Sequence, residues 1–136
     1  MGLTKVSYAM INGAPLNVLD YGATGDGSTD DTSAIQTALT ACDAAGGGTV
    51  YFPTGNYKIT STIDLTGFEN VTLQGENKNA SKFSPTVTND NYFTFTNAKQ
   101  CNFRDLGIIP SVSQVSGSAI YFSNGYSLTV SDVIIG

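Results

Sequence analysis

The sequence predicts an all-β protein wound as a parallel β-helix of about three to four coils, with an N-terminal capping α-helix at about residues 30–45. Three observations carry the prediction: a strand pattern that recurs without gaps, corner residues at fixed places within it, and one amphipathic segment ahead of the first copy. The copies are residues 63–75 (IDLTGFENVTLQG), 93–105 (FTFTNAKQCNFRD) and 120–132 (IYFSNGYSLTVSD), offset by 30 and then 27 positions. In each, apolar residues alternate in two short runs: Ile63 and Leu65 then Val71 and Leu73, Phe93 and Phe95 then Cys101 and Phe103, Ile120 and Phe122 then Leu128 and Val130. Period two means strands with one buried face. Between the runs one column holds Gly67, Asn97 and Asn124, and after the second run another holds Gly75, Asp105 and Asp132. These residue types tolerate left-handed backbone, so each column predicts a corner turned at the same place in every copy. Leu106 and Ile108, or Val133 and Ile135, then open a third run. A unit this short cannot bury its apolar side alone, so each strand must pair with its equivalent in the next coil, roughly 4.8 Å along the axis. A sandwich of hairpins is the alternative, but Asn-Gly pairs occur only at 12–13 and 124–125, and neither separates two clean strands.

The helix comes first in chain order. From residue 32 to 45, Ile35, Ala38, Leu39 and Cys42 fall at helical spacing, with Thr29, Asp30 or Asp31 available to cap the start and Gly46-Gly47-Gly48 to end it. Because an open solenoid end exposes core and strand edges, this helix is expected to lie across the N-terminal mouth as a lid. Residues 49–52 and 57–60, joined by Pro53-Thr54-Gly55-Asn56, supply the first coil.

Composition narrows the chemistry. Of 136 residues, 41 are Thr, Ser or Asn, which suits strands and side-chain ladders rather than helix bundles. Eleven acids against six bases, with a pI near 4.2, argue against a nucleic-acid partner. The chain has no histidine, which removes Ser-His-Asp, Cys-His and histidine-ligated metal chemistry and leaves carboxylates as the available reactive groups. Cys42 and Cys101 sit among apolar neighbours and are expected to be buried thiols rather than a disulfide. No window approaches the roughly 18 apolar residues of a membrane span, so no membrane insertion is expected, and residues 1–10 lack the pattern of a secretory signal.

One stretch is more specific than any periodicity. Leu-Asp-Tyr-Gly-Ala at 19–23, Gly25-Asp26-Gly27, Thr29-Asp30-Asp31-Thr32, Ala34-Ile35-Gln36, and Gly47-Gly48-Thr49-Val50-Tyr51-Phe52-Pro53 with Gly55 and Tyr57 follow one another in order. This resembles the opening of the pectate-lyase-like superfamily of right-handed parallel β-helices, which includes pectate lyases, polygalacturonases, and the tailspikes and depolymerase-type tail fibres of bacteriophages. The resemblance implies a first strand, a capping helix and a first coil over this segment. Residues 5–16 (KVSYAMINGAPL) are similar to the short neck that leads into the β-helix of phage tailspikes. That likeness implies a neck over residues 1–16, with Val6, Tyr8, Met10 and Ile11 packing around a trimer axis, ahead of an N-terminal β-helix part at 17–136.

Several residues are weighed for function. Asp26, Asp30 and Asp31 could gather around a calcium ion, but carboxylates here more readily accept backbone N–H bonds at the helix start, so no metal and no cofactor are expected. Asp105 and Asp132 share a column; stacked in register they would stand ~5 Å apart, a separation suited to a retaining glycosidase pair, although a corner role explains the same residues. Alternation sends Phe93, Phe95, Phe103 and Phe122 inward and leaves Tyr92, Tyr121 and Tyr126 as outward rings for sugar contact.

The expectation from residues and resemblance together is a homotrimeric phage tailspike or tail-fibre component in the virion. Its partners would be other phage tail proteins and a host surface polysaccharide that it binds or depolymerises. The alternatives are a pectate-lyase or polygalacturonase-like enzyme, or a non-enzymatic adhesion or decoration module. The apolar finish at Val133-Ile134-Ile135-Gly136 suggests further coils or a docked partner, with any sugar-cutting residues lying beyond 136.

Overall fold

The computed structural model describes residues 14–136, and the proposed neck residues Val6, Tyr8, Met10 and Ile11 lie outside the described residues. The eleven strands among the described residues are β1 (Leu16–Asn17), β2 (Asp26–Asp30), β3 (Gly48–Phe52), β4 (Gly55–Ile59), β5 (Ile63–Asp64), β6 (Val71–Gly75), β7 (Ser81–Pro85), β8 (Phe93–Thr96), β9 (Lys99–Ile108), β10 (Ile120–Ser123) and β11 (Tyr126–Ile135). The one α-helix among the described residues, α1, spans Thr32–Ala44. Every strand pairing is parallel, and each strand pairs with strands of neighbouring coils. The chain is therefore a parallel β-helix with three strand stacks.

The first stack runs β1, β3, β6 and the opening halves of β9 and β11; the second runs β2, β4, β7 and the closing halves of β9 and β11; the third is β5, β8 and β10. The three sequence copies align as their alternation requires. Ile63, Phe93 and Ile120 are Cα partners in the third stack, and Leu73, Phe103 and Val130 are partners in the first. Phe95 stands against Phe122 in the same way.

The corners follow the repeat with one exception. Gly67, Asn97 and Asn124 are all left-handed, at φ of 75°, 57° and 54°. Asp105 and Asp132 are left-handed too, at 56° and 50°, and each bends a ten-residue strand from the first stack into the second. Gly75, in the same column, has no left-handed backbone. It is glycine for want of space: a Cβ there would stand 2.1 Å from the Asp105 carbonyl oxygen and 2.9 Å from the Ser81 Cβ. A third corner column, Gly47, Asn70, Gln100 and Ser127, is left-handed throughout, although Gln and Ser carry no such preference by residue type.

Inward side chains build one core. Phe52 meets Phe83 at 5.0 Å between ring centroids, Phe83 meets Phe93 at 4.9 Å, and Phe93 meets Phe103 at 5.1 Å, all edge to face. That is the arrangement ring quadrupoles favour. Phe122, in register with Phe95, is 38% exposed, because among the described strands β10 pairs only with β8. Helix α1 buries Ile35, Ala38, Leu39 and Cys42, the four positions expected from its spacing, against β1, β3, β5 and the 3-10 turn at Val18–Tyr21. It covers the N-terminal end of the stack. Cys42 and Cys101 are free and buried, and burial pushes the Cys42 thiol up to about 11 and the Cys101 thiol upward as well.

The acidic residues before α1 are structural, with an unexpected division of labour. Asp31 is the N-cap residue but makes no side-chain cap bond. Its buried carboxylate instead accepts from the Thr24 and Gly25 backbone N–H groups, at 2.9 and 3.0 Å, and from the Thr24 hydroxyl. Asp30 does the capping: its Oδ1 accepts from the Thr32 backbone N–H at 3.1 Å and the Thr32 hydroxyl at 2.6 Å, and its Oδ2 from the Thr60 hydroxyl at 2.7 Å. Asp26 closes its own turn by accepting from Ser28 and Thr29.

Candidate functional site

Outward residues of the first stack form rows along the axis, because in-register parallel strands place every second side chain directly above its equivalent. One row is Thr49, Thr72, Asn102 and Thr129; the next is Tyr51, Gln74, Arg104 and Ser131. The Asn102 amide donates to the Thr72 hydroxyl at 3.2 Å. In the second row the Arg104 Nε donates to the Gln74 Oε1 at 2.6 Å, and the Gln74 Nε2 donates to the Asp105 Oδ2 at 2.8 Å. Gln74 thus fixes both the guanidinium and the carboxylate of the coil above it. The Tyr51 hydroxyl donates to the Glu76 carboxylate, and that bond holds the phenol above its ordinary titration range. A phenol, an amide, a guanidinium and two carboxylates therefore converge at the corner where β3, β6 and β9 end their runs in the first stack.

Asp105 and Asp132 occupy neighbouring rungs of that corner, bracketed by the partner pairs Ser131 with Arg104 and Val133 with Leu106. Asp105 is half-buried and held by Gln74, whereas Asp132 is exposed. The corner can orient sugar hydroxyls and pair with a carboxylate on a ligand. The alternation rule anticipates neither Gln74 nor Tyr51 as partners of this corner. The offset of 30 residues between Gln74 and Arg104 is the signal that locates Gln74, whereas Tyr51 follows only from the pairing of β3 with β6.

The tyrosines divide. Tyr121 lies outward on the third stack and is 43% exposed, in a column with Asp64 and Thr94. Beside that column Thr96 and Ser123 form a hydroxyl row, 3.5 Å apart. Tyr126 is 60% exposed at the start of β11, in register with Lys99. Tyr92 is a correction: it is 1% exposed rather than outward. It precedes β8, where the chain is still turning into the strand, so the alternation that places Phe93 and Phe95 inward does not extend back to it. Its hydroxyl is buried without a hydrogen-bond partner, and burial pushes its phenol upward. Among the described residues no group of three or more His, Cys, Asp or Glu is arranged to hold a metal, and no helix is long and apolar enough to cross a membrane.

Comparison with known proteins agrees with this architecture. The chain is 63% identical over 43 residues to mannuronan C5-epimerase AlgE3 of Azotobacter vinelandii, a stretch that is 32% of this chain and 2% of that enzyme. In structure it is similar to ORF18 of Geobacillus virus E2, with a TM-score of 0.69 and 30% identity, covering 90% of this chain and 25% of that one. It is also similar to the A-module of mannuronan C-5 epimerase AlgE6 from Azotobacter vinelandii, with a TM-score of 0.73 and 28% identity, covering 88% of this chain and 37% of the module. The chain thus spans between a quarter and little more than a third of these solved structures. A family model described as rhamnogalacturonase A/epimerase, pectate lyase-like matches residues 16–111, which run from β1 through the lid helix to just past β9. Parallel coils, lid and motif order therefore share one explanation: the chain belongs to the pectate lyase-like family of rhamnogalacturonase A and the epimerases.

Proposed function

We propose that this chain is the N-terminal β-helix part of a bacteriophage tailspike or tail fibre, a virion component whose coils present hydrogen-bonding rows to a host surface polysaccharide. The observation that carries the reading is the likeness to a viral protein over 90% of the chain at 30% identity. The row from Tyr51 through Gln74 to Arg104, with Tyr121 on another face, supports polysaccharide contact, because sugar rings bind to aromatic faces and to fixed donors and acceptors. On this reading residues 1–16 are the neck, Val6, Tyr8, Met10 and Ile11 are its trimer contacts, and other tail proteins are among the partners.

Light scattering on the full-length protein tests the assembly, with a trimer expected and a monomer overturning the tail assignment. Retention on immobilised bacterial surface polysaccharides tests the contact. Replacing Arg104 and Tyr121 together by Ala is expected to weaken retention at least tenfold, and unchanged retention would exclude these faces.

A second reading, a pectate-lyase or polygalacturonase-like polysaccharide-degrading enzyme, is favoured by the pectate lyase-like family match over residues 16–111. In that reading Asp105 and Asp132 are the carboxylate pair, and Asp105→Asn is expected to abolish polysaccharide cleavage by the full-length protein. Cleavage unchanged in that variant would remove Asp105 from the chemistry.

A further inference from the structure

The corner between the first and second stacks gathers charges of both signs without pairing them. Lys78, Lys82 and Arg104 lie there with Glu76, Asp105 and Asp132. Arg104 and Asp105 stand where β9 leaves the first stack, and Asp132 stands at the same place in β11. Glu76 and Lys78 belong to the connection from β6 to β7, and Lys82 is the Cα partner of Gly107, two residues past Asp105. Packing at Gly107 is close: a Cβ there would stand 2.6 Å from the Lys78 carbonyl oxygen and 3.1 Å from the Lys82 Cγ. Both lysines therefore lie against the rung that carries Asp105. Yet among the described residues the only ion pair is Lys99 with Glu69, at the other end of the first-stack run.

Gln74 is what holds Arg104 and Asp105 apart. Its Oε1 accepts from the Arg104 Nε at 2.6 Å while its Nε2 donates to the Asp105 Oδ2 at 2.8 Å, so one neutral amide stands between cation and carboxylate. Glu76 is likewise held by a neutral partner, the Tyr51 hydroxyl. A guanidinium has further N–H groups and a carboxylate a second oxygen. Among the described residues no hydrogen bond engages the Arg104 Nη groups or the Asp105 Oδ1. A donor fork and an acceptor oxygen of opposite charge are thus presented side by side, each fixed on one side and open on the other.

We propose that this corner takes a zwitterionic polysaccharide, one whose repeat carries both a free acid and a free amine. The Arg104 guanidinium pairs with the acid, and the Asp105 Oδ1 accepts from the ammonium. The ligand class rests on the polysaccharide reading above. A polymer with acids alone meets Glu76, Asp105 and Asp132, one with amines alone meets Arg104, Lys78 and Lys82, and like charges brought together reject it. A neutral polymer takes water from both sets and returns no charge to either. Only a ligand with both signs answers both halves of the corner.

The test is binding of the full-length protein to three immobilised polymers at about pH 6, where glucosamine amines are largely protonated and carboxylates ionised. Carboxymethyl chitosan carries both charges, its N-acetylated form only the carboxylate, and glycol chitosan only the amine. The doubly charged polymer is expected to bind at least about tenfold tighter than either of the others, the scale of one charge-assisted hydrogen bond. Arg104→Gln is expected to shift the preference toward glycol chitosan and Asp105→Asn toward the N-acetylated polymer, whereas a merely structural role would move both variants the same way. Asn suits the corner, since Asn97 and Asn124 already hold left-handed backbone in this chain. Gln74→Leu removes both bonds and is expected to abolish the preference for double charge while circular dichroism stays that of the parent. The proposal is overturned if a singly charged polymer binds as tightly as the doubly charged one, if none of the three is retained, if the two charge variants shift together, or if Gln74→Leu keeps the preference. Retention on bacterial surface polysaccharides is scored in parallel. Retention there without the charge preference sinks this inference alone, whereas no retention on any polymer sinks the polysaccharide reading with it.

Discussion

At the scale of single residues, two positions show how a solenoid restricts sequence for different reasons. Asp105 and Asp132 turn the chain by taking left-handed backbone, whereas Gly75 lies in their column and is glycine because the Asp105 carbonyl already occupies the place of a Cβ. Gly75→Ala must push β6 and β9 apart or shift Ser81, whose hydroxyl donates to the Phe52 carbonyl at 2.7 Å and accepts from the Glu76 N–H at 2.9 Å. The expected cost is about 1–3 kcal/mol, the range for overpacking, read from urea unfolding; a variant as stable as the parent would contradict the close approach. Asp31 is the complementary case, a buried carboxylate whose worth lies in the donors it satisfies. Asp31→Ala strands the Thr24 and Gly25 N–H groups and is expected to cost roughly 1.5–3 kcal/mol, the scale of bonds to a charged acceptor. Asp31→Asn should recover part of that loss, since the amide retains one acceptor oxygen, and equal losses in the two variants would argue against a hydrogen-bonding role.

At the scale of elements, α1 was fully legible because its four buried positions follow from 3.6-residue spacing alone. Strand β7 was not. Residues 76–80 intervene between β6 and β7, where the later coils pass from first to second stack through one residue, Asp105 or Asp132, so the gap-free repeat cannot register Ser81–Pro85. The corner at Gln100 and Ser127 was illegible for another reason: its backbone is imposed by stacking on Asn70 and Gly47, not chosen by residue type. The Asp105 corner was half legible, its carboxylates readable from their column and its partners Gln74 and Tyr51 only from register. What fastens α1 to the coils also makes an element-scale prediction. Asp30 ties the first turn of the helix to Thr60, and Gln36 exchanges two hydrogen bonds with the Asp64 backbone, at 2.8 and 2.9 Å. The Thr32 hydroxyl, then the Thr60 hydroxyl, hold the Asp30 carboxyl below its usual range, and nearby Lys58 adds to this. A carboxyl depressed on folding contributes its stability above the unfolded value near 4 and loses it as pH falls through the folded value. The melting temperature is therefore expected to be flat from about pH 7 to 5 and to fall below about pH 4. Asp30→Asn should lower the neutral-pH melting temperature and make the acid limb shallower, and an acid limb unchanged in slope would place the titration elsewhere, with Asp26 the next carboxyl to examine.

At the scale of the whole molecule, the two ends of the coil stack are not equivalent. The N-terminal end is covered by α1, whose apolar face closes the core over β1 and β3. At the other end β10 and β11 each pair on one side only among the described strands, leaving backbone donors and acceptors along 14 residues of strand beside Phe122, Val130 and Ile135, which are 38%, 45% and 56% exposed. An apolar, unpaired parallel edge is a template for another strand. Since the coil register is set by period-two alternation, the edge accepts any chain that alternates in the same way, including another copy of this one. The polypeptide of 136 residues, prepared by itself, is accordingly expected to associate as its concentration rises. A charge on the core side of β11 would leave the existing coils intact, because Val130 lies on the outermost rung, but would oppose stacking of a new strand above it. Val130→Lys is therefore expected to keep the parent's circular dichroism and shift association to at least tenfold higher concentration in sedimentation velocity. Association of the variant at the parent's concentration would locate the contact away from this edge, whereas loss of the β-sheet signal would mean that Val130 helps to hold the last coil together.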